Sequence, residues 1–304
     1  MILVLGSINA DLFFAVDRLP ARGETVLSPS VVIRPGGKGA NQAAAAARAG
    51  AATAFFGCVG DDSVADDVLA ALAEAGCDVS GVRRAPGATG TAMVVVESGG
   101  ENLIVVASGA NRQVASDLLP ADRLDGSATL VCQMEIPAEQ TVLALRRARS
   151  AGARTVLNLA PAGAIPTAAL ADVDVLIVNR LEAVSLESGA GVPLDLARTL
   201  ARRHGLTCVV TLGGDGALAV EPDGTAWSIG TLPVRAVDTV GAGDAFVGVL
   251  AASLDGGDIL PDALRRASVA AGLACTVEGA MPSLPDRSAI AARLNDLAPA
   301  RPLD

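Results

Sequence analysis

The sequence predicts an α/β fold: a parallel-rich central sheet flanked by helices on both faces, with a small antiparallel β lid. Three observations support this prediction. Short continuous apolar runs, typical of buried parallel strands, recur along the 304 residues. Segments with helical periodicity lie between these runs, and such alternation indicates βα units around a parallel sheet. Hydrophobic residues make up 51% of the chain, which is enough for a large core.

The strand pattern begins at the N-terminus. Residues 2–5 form an apolar run that ends at Gly6 and meets Asp11 early, which is typical of a first strand and not of a signal peptide. Further strands are predicted at 52–56, 129–132, 155–159, 173–178 and 208–212, and a hairpin at 217–221 and 225–229. Helices are predicted at 40–49, 64–75, 138–149, 181–186, 194–203, 246–252, 261–275 and 287–297. Because no linker-like stretch interrupts this order, we expect a single domain over residues 1–304.

Two stretches break the βα rhythm. Residues of about 12–35 and 88–107 have alternating or β-branched character and no helical pattern. Together they are expected to form the small sheet, which would project as a lid over a ligand site. The alternative is that these strands extend the edge of the main sheet.

The composition argues against several partners. The formal net charge is −10, no Lys/Arg-rich run occurs and aromatic residues make up 2%, so we expect neither nucleic acid nor an anionic membrane as a partner. No apolar run reaches the ~18 residues that a membrane span needs. Five scattered cysteines without a C-x-x-C pair indicate buried thiols in a reducing compartment, and we expect a cytoplasmic location.

A glycine-rich turn at Gly241-Ala242-Gly243 precedes a predicted buried helix. Free backbone amides and the helix dipole make such a turn an anion site. Asp244 follows directly and would by itself repel a phosphate. Its position makes sense if it meets a hydroxyl proton beside the phosphate, as in phosphoryl transfer to an alcohol. The alternative is that Asp244 only complements the helix dipole, and these residues alone do not decide between the two.

A second glycine-rich stretch, residues 36–42, joins an extended segment to an Ala-rich helix. It is not a Walker A loop, because the first glycine and the hydroxyl residue after the lysine are absent. Its glycines allow close backbone approach, and Lys38, Asn41 and Gln42 add polar groups of the kind that sugar hydroxyls need. Asn9 and Asp11 follow the first strand, at the edge where α/β sheets bind ligands. As an isolated pattern, an Asx turn explains these two residues better.

Polar residues also follow the later strands. Asn179 and Glu182 are typical of a capping box at a helix start, although an oxygen-rich pair could also serve a Mg²⁺–phosphate shell. Residues 214–219 fit the dinucleotide pattern G-x-G-x-x-A only weakly, since a hairpin and not a helix is predicted next. The same turn could still line a nucleotide.

These motifs stand in one order along nearly the whole chain, and as a set they resemble the PfkB carbohydrate kinase family. The resemblance rests on Asn9-x-Asp11, Gly36-Gly37-Lys38-Gly39-Ala40-Asn41-Gln42-Ala43, Gly60-Asp61-Asp62, Gly100-Glu101-Asn102, Gly109-Ala110-Asn111, Gln133-Met134-Glu135, Asn158-x-Ala160-Pro161-Ala162, Asn179-x-x-Glu182, Thr211-Leu212-Gly213-x-x-Gly216 and Val237-Asp238-Thr239-x-Gly241-Ala242-Gly243-Asp244. The two longest motifs are the most specific.

The resemblance implies ATP-dependent phosphorylation of a sugar, with D-ribose and its O5 hydroxyl expected, Asp244 as base and the amides of Gly241, Ala242 and Gly243 as anion hole. Sugar-binding residues would be Asn9, Asp11, Gly37, Lys38, Gly39, Ala40, Asn41, Glu135 and Asp244. ATP would contact Asn179, Thr211, Leu212, Gly213, Gly214, Asp215, Gly216, Gly243 and Ser268, the last at a position that is commonly histidine in the family. Glu182 would serve Mg²⁺ indirectly, and the lid would form the interface of a homodimer.

Asp238 raises the question of a monovalent cation. It precedes the anion turn, cannot face a phosphate without repelling it, and has no Lys or Arg between Val237 and Leu264 to pair with. The resemblance implies a K⁺ ion held by Asp238, Val240, Ala274, Val277, Gly279 and Ser283. The alternative is that Asp238 only caps a turn.

Two other functions stay open from the sequence. One is a kinase for another sugar, such as deoxyribose or a ketohexose, or for a nucleoside; the low aromatic content argues mildly against a nucleoside. The other is a sugar-binding regulator without catalysis, against which the intact Asp244 and glycine turn argue.

Overall fold

A computed structural model describes residues 1–99, 101–163, 165–186 and 192–303. Gly100, which belongs to one of the motifs above and to the predicted turn of the lid, lies outside the described residues. The strands are β1 Ile2–Leu5, β2 Asn9–Val16, β3 Val31–Gly36, β4 Thr53–Val59, β5 Cys77–Arg84, β6 Gly90–Glu97, β7 Asn102–Ala107, β8 Thr129–Cys132, β9 Arg154–Asn158, β10 Val175–Asn179, β11 Thr207–Thr211, β12 Ala217–Val220, β13 Ala226–Ile229 and β14 Arg301–Leu303. The helices are α1 Lys38–Arg48, α2 Val64–Glu74, α3 Ala138–Ser150, α4 Arg180–Leu186, α5 Pro193–His204, α6 Ala242–Asp255, α7 Leu260–Ala274 and α8 Arg287–Arg293.

The main sheet has ten strands in the order β14-β13-β12-β11-β10-β9-β8-β1-β4-β5. All pairs from β11 to β5 are parallel, and the three pairs from β11 to β14 are antiparallel. The predicted parallel-rich sheet is therefore confirmed. Because its parallel strands all end at one edge, the loops that carry the predicted site residues meet there.

Both faces of the main sheet are covered. Along β1, Ile2 and Val4 pack into one hydrophobic cluster with α1, α6 and α7, whereas Leu3 and Leu5 pack into a second cluster with α3 and α5. This follows from the period-two alternation of side chains in a strand. Both faces need apolar residues, which explains why these strands are continuous apolar runs in the sequence.

The small sheet is separate from the main sheet, as predicted, and has the order β3-β2-β6-β7. Its two outer ladders, β2 with β3 and β6 with β7, are antiparallel, and the central ladder between β2 and β6 is parallel. Its outer strands expose apolar side chains, which are Val31, Val32, Ile33, Ile104, Val105 and Val106. We call this sheet the lid.

Three elements differ from the sequence predictions. No strand was predicted at β14, a three-residue strand at the edge of the main sheet. No strand was predicted at β5, which is an edge strand that alternates in burial and carries Asp78, Ser80 and Arg83, so it has no continuous apolar run. The last predicted helix, 287–297, ends at Arg293 and continues as a 3₁₀ turn over Leu294–Asp296. None of the helices in the described part of the chain combines the length and apolarity needed to cross a bilayer.

Candidate active site

A cleft of about 250 Å³ lies at the carboxyl edge of the main sheet, beside the start of α6. Residues at or just after the carboxyl ends of strands β9, β10 and β11 form one side of it, and the turn before α6 forms the other. Its lining residues are Lys38, Asn158, Ala160, Ile177, Asn179, Glu182, Thr211, Thr239, Gly241, Gly243, Asp244 and Val247. The cleft thus brings together residues from five of the quoted motifs.

The turn at the start of α6 has the geometry of an anion site. Gly241 has φ 81°, and a Cβ placed on it would lie 2.7 Å from the Cα of Ala280, so only glycine fits there. A Cβ on Gly243 would meet nothing within 4 Å, because this residue faces open space at the cleft. The first amides of an α-helix have no partner within the helix, and they carry the positive end of its dipole.

Asp244 lies in the first turn of α6 and is only 8% exposed. Asn41 Nδ2 donates to Asp244 Oδ2 at 3.0 Å, and Gln42 Nε2 donates to Asp244 Oδ1 at 2.9 Å. Both donors stand on α1, so the second glycine-rich motif and the anion turn converge on this one carboxylate. Its two oxygens are held by amide groups, not by a cation, which leaves the carboxylate free to accept a further proton donor.

The sugar-binding residues predicted on the lid side also converge. Asp11 Oδ1 and Asn41 Oδ1 are buried and have no hydrogen-bond partner. Burial and the nearby Glu135 and Asp244 carboxylates raise the pKa of Asp11 from 3.8 to about 7. An unpartnered buried acceptor is costly, and a ligand that brings hydroxyl donors removes that cost.

Other side chains hold this region in place. Glu135 Oε2 accepts hydrogen bonds from Ser7 Oγ at 2.6 Å and from the Lys38 amide at 2.9 Å. Asn111 Nδ2 donates to Asn9 Oδ1 at 2.7 Å, which fixes the orientation of the Asn9 amide. Glu135 therefore binds the start of α1 to the loop after β1.

The backbone of the glycine motif is tightly packed. Gly37 has φ 87°, and a Cβ on Gly39 would lie 2.6 Å from the Ser7 amide nitrogen. The Ala40 amide donates to the Ser7 carbonyl at 2.9 Å. Larger residues at 37 or 39 would therefore displace the start of α1 from the loop that precedes Asn9.

Lys38 lies in the lining of the cleft. Its ammonium is near three carboxylates, and the charge of Asp244, with smaller contributions from Glu135 and Glu182, raises the pKa of Lys38 despite burial. Lys38 is therefore a cation held between the proposed base and the residues expected to serve Mg²⁺.

Asn179 and Glu182 form the predicted capping box. The Asn179 amide donates to Glu182 Oε2 at 2.7 Å, and the Glu182 amide donates to Asn179 Oδ1 at 2.8 Å. Burial raises the pKa of Glu182, which lines the cleft. Among the residues that the structure describes, no group of three or more His, Cys, Asp or Glu side chains could hold a metal.

The turn after β11 is compact. The Leu212 amide donates to the Gly216 carbonyl at 2.8 Å, and Gly213 and Gly216 have φ 62° and 91°. Asp215 in this turn lies 3.5 Å from Arg180, and a Cβ on Gly214 would meet nothing within 4 Å. Only Thr211 of this stretch lines the cleft, so the turn lies beside it.

Ser268 is set apart from these residues. It stands on α7, is buried, and donates its hydroxyl to the Gly230 carbonyl. It is absent from the lining of the cleft.

The chain matches the model of the pfkB family carbohydrate kinases over residues 1–287. It belongs to this family. Among its relatives, the ribokinase of Schizosaccharomyces pombe is 34% identical, with 93% of this chain and 94% of that protein covered. The crystal structure of ribokinase from Thermotoga maritima superposes with a TM-score of 0.90 at 31% identity, covering 97% of this chain and 99% of that one. Arabidopsis thaliana ribokinase complexed with ribose and ATP gives a TM-score of 0.87 at 31% identity, with coverages of 96% and 98%.

Three polar residues of this pfkB-family site were not among the binding and catalytic residues that the resemblance implied, although the sequence already indicated Gln42 as a polar group at the start of the helix. Gln42 is fully buried and donates to both Asp244 Oδ1 and Asn158 Oδ1, each at 2.9 Å. Gln133 Nε2 in turn donates to Gln42 Oε1 at 2.8 Å. Gln133 directly follows strand β8 and Asn158 is the last residue of strand β9, each within a quoted motif, and that position was the signal that could have identified them.

Asp238 has partners of its own. The Val240 amide donates to Asp238 Oδ1 at 3.0 Å, which is the turn cap given above as the alternative. The Gly279 amide donates to Asp238 Oδ2 at 2.8 Å, so the segment that contains the predicted K⁺ ligands does reach Asp238. Within that segment the Ala274 carbonyl accepts from the Val277 amide, and the Ser283 hydroxyl donates to the Ala280 carbonyl.

Proposed function

We propose that this protein transfers the γ-phosphoryl group of ATP to the O5 hydroxyl of D-ribose, giving D-ribose 5-phosphate and ADP. The observation that carries the proposal is the Asp244 carboxylate, buried at the start of α6 beside the amide turn and held by Asn41 and Gln42. The ribokinase relatives along nearly the full chain support ribose as the acceptor. The Arabidopsis complex with ribose and ATP supports the two substrates.

The sugar would bind between the lid and the start of α1. The unpartnered oxygens of Asp11 and Asn41 would accept hydrogen bonds from ribose hydroxyls. Asn9, Glu135 and the backbone of residues 37–40 would complete the pocket. Since O5 must reach Asp244, the sugar is oriented by Asn41, which touches that carboxylate.

Phosphoryl transfer would proceed in one in-line step. Asp244 accepts the O5 proton, O5 forms a bond to the γ-phosphorus, and the bond from that phosphorus to the β–γ bridging oxygen breaks with its electron pair leaving on ADP. The amides of the Gly241-Ala242-Gly243 turn would donate to the transferring oxygens. The Lys38 ammonium lines the same cleft and would balance part of their negative charge.

The nucleotide would lie against Asn179, the turn over residues 211–216 and Gly243, with Ser268 behind it on α7. Glu182 fits an indirect Mg²⁺ role, because it is a buried carboxylate in the cleft with only one oxygen occupied by the capping box. Mg²⁺ keeps several waters and is held by one or two carboxylates together with substrate phosphates. Such an ion would neutralise phosphate charge.

A K⁺ ion would lie beside the anion turn, with Asp238, Val240, Ala274, Val277, Gly279 and Ser283 as its ligands. The contact between Asp238 and the Gly279 amide supports this placement, because it joins the two ligand-bearing segments. Each carboxylate oxygen that accepts one amide hydrogen bond still has a lone pair for a cation.

The chain would act as one kinase domain over residues 1–304, with the lid drawn from about 12–35 and 88–107. We further propose that it forms a homodimer through the lid, whose exposed strands carry apolar residues such as Ile33 and Ile104, 53% and 52% exposed. A cytoplasmic location is proposed because ATP is available there and because all five cysteines are free thiols, as expected in a reducing compartment.

ADP release in a coupled assay tests the function, with D-ribose, 2-deoxyribose, fructose and adenosine offered in parallel. We expect D-ribose to give the highest kcat/KM. A higher value for another acceptor would reassign the substrate within the family. Sugar binding without ADP release from any acceptor would instead favour a non-catalytic sugar-binding regulator.

A further inference from the structure

An ion pair joins the lid to the loop behind the anion turn. Arg34 stands on lid strand β3, and its Nη2 lies 2.8 Å from Glu278 Oε1. The Arg34 guanidinium also lies over the Phe13 ring of β2, 5.0 Å from the ring centre. The pair spans a cleft of about 740 Å³ between the lid and the segment that carries Asp238. It is therefore a direct polar link between the lid and that segment.

Arg34 is close to the sugar pocket on the lid side. It is the register partner of Asp11 in the β2–β3 ladder, and a single residue, Pro35, separates it from the glycine motif. Its side chain is only 20% exposed, and its Nη1 is buried without a hydrogen-bond partner. The guanidinium is thus fixed by packing, and only its other nitrogens are available to pair.

On the opposite side of the cleft, the contacts of Arg34 lead to the anion turn. A Cβ placed on Gly279 would lie 2.7 Å from Arg34 Nη1, so the guanidinium packs directly on this glycine. The Gly279 amide binds Asp238, which also accepts the Val240 amide. The following residue, Ala280, packs against Gly241, as described above.

From these contacts we infer that Arg34 is a positioning residue, which couples the placement of the lid over the sugar to the placement of the Gly241–Gly243 amides through Glu278 and Gly279. The inference rests on the proposed sugar kinase function. Glu278 is 70% exposed, and ion pairs with an exposed partner add little to global stability. Loss of the ion pair should therefore lower kcat and change local amide hydrogen exchange, while the melting temperature stays the same.

The test is a double-mutant cycle with Arg34→Gln, Glu278→Gln and the double variant. A displaced amide turn slows the chemical step, so we expect kcat to fall about tenfold in Arg34→Gln, within the range that small misplacements cost. KM for ATP and the melting temperature should change little. If the pair acts as a unit, the double variant is no slower than Arg34→Gln.

The matched control is the ion pair between Arg18 and Glu24, which stands on the same lid but touches neither Gly279 nor Asp238. Arg18→Gln and Glu24→Gln should leave kcat unchanged. The inference would be overturned if the Arg18 and Glu24 variants lost as much kcat as the Arg34 and Glu278 variants. It would also be overturned if the kcat losses of Arg34→Gln and Glu278→Gln added up in the double variant.

A second readout needs no substrate. Hydrogen exchange of the unliganded protein should become faster over residues 238–243 and 276–283 in Arg34→Gln and stay unchanged in Arg18→Gln. Unchanged exchange in Arg34→Gln would overturn the positioning role. If wild-type protein phosphorylates no sugar while the exchange difference is present, the proposed function fails and the coupling stands.

Discussion

Gln42 Nε2 donates to Asp244 Oδ1 at 2.9 Å, from a side chain that is fully buried on a different helix. The same amide group donates to Asn158 Oδ1, and Gln133 holds its oxygen. A buried polar network of this kind restrains the carboxylate that it includes. The proposed base is therefore positioned before substrate arrives.

This relationship predicts a catalytic cost for losing Gln42. In Gln42→Leu, Asp244 keeps only the Asn41 contact, and we expect kcat for ribose to fall by roughly 10- to 100-fold because the base can rotate. Gln42→Glu, which removes the same donor and adds a like charge, should lose at least as much. Steady-state kinetics and a melting curve for each variant distinguish a catalytic loss from unfolding. A folded Gln42→Leu enzyme with wild-type kcat would contradict the prediction.

Asp244→Asn tests the base itself. General-base loss typically costs about 10²- to 10⁴-fold in rate, and we expect kcat to fall within that range while ribose still binds. Both Asp244 oxygens accept from amide donors, so an asparagine can satisfy only one of them. Asp244→Ala should therefore be measured alongside, since it removes the base without placing a new NH₂ donor against either amide donor. Wild-type-like turnover in either variant, with sugar binding by calorimetry as the folding control, would refute the assignment.

Much of the fold could be predicted from the sequence, because its cause is local. Strand β1 is a continuous apolar run, and both of its faces are indeed buried. The turn at Gly241 and the helix after it follow from the conformational freedom of glycine and from the apolar run beyond. Edge strand β5 could not be predicted in this way, because its polar residues face solvent and leave only an ambiguous alternation.

Less of the candidate site than of the fold could be predicted, because its hydrogen-bond partners come from segments that are distant in the sequence. Asp244, Asn41 and Glu182 stand in motifs whose resemblance to a known family indicates their roles, although their local patterns alone leave alternatives open. The partners of a buried network depend on which distant segments the sheet brings together. Gln42 and Gln133 are 91 residues apart and meet only in the folded protein.

Asp11→Ala should weaken ribose binding far more than ATP binding. Asp11 offers an unpartnered oxygen on the lid side of the site. Loss of a charge-assisted hydrogen bond costs about 1.5–3 kcal/mol, or roughly one to two decades in affinity. Calorimetry with ribose and with ATP separately is the measurement. Unchanged ribose affinity would show that the sugar pocket lies elsewhere.

Asp11 also predicts a pH dependence. Its pKa is raised from 3.8 to about 7 by burial, Glu135 and Asp244, so between these values the folded protein holds a proton that the unfolded chain has lost. The free energy of unfolding therefore falls as pH rises from 3.8 to about 7. Above that range Asp11 contributes no further change, because it is ionised in both the folded and the unfolded state.

Ribose affinity should move in the opposite direction, since the ionised carboxylate is the better acceptor. We expect it to rise about tenfold between pH 6 and pH 8, following the ionised fraction of a group with pKa near 7. Calorimetry across this range is the measurement, and Asp11→Asn is the control, because its affinity should not change with pH. A wild-type affinity independent of pH would contradict the prediction.

The Asp238 region predicts activation by K⁺. Both of its oxygens accept backbone amides, from Val240 and Gly279, yet the charge of Asp238 has no Lys or Arg partner among the ion pairs of the described residues. A monovalent ion on the remaining lone pairs would hold the two segments together and keep the Gly241 turn in place. We therefore expect K⁺ to raise turnover over Na⁺ at least about fivefold, the lower end of typical coupling between sites. Assays in K⁺, Na⁺ and Cs⁺ at equal ionic strength hold general screening constant. Asp238→Asn keeps one side-chain oxygen that can accept a hydrogen bond from the turn, and we expect this variant to lose both the cation dependence and most of its turnover. Equal turnover of the wild-type protein in all three salts, together with a fully active Asp238→Asn variant, would instead mean that Asp238 only caps the turn.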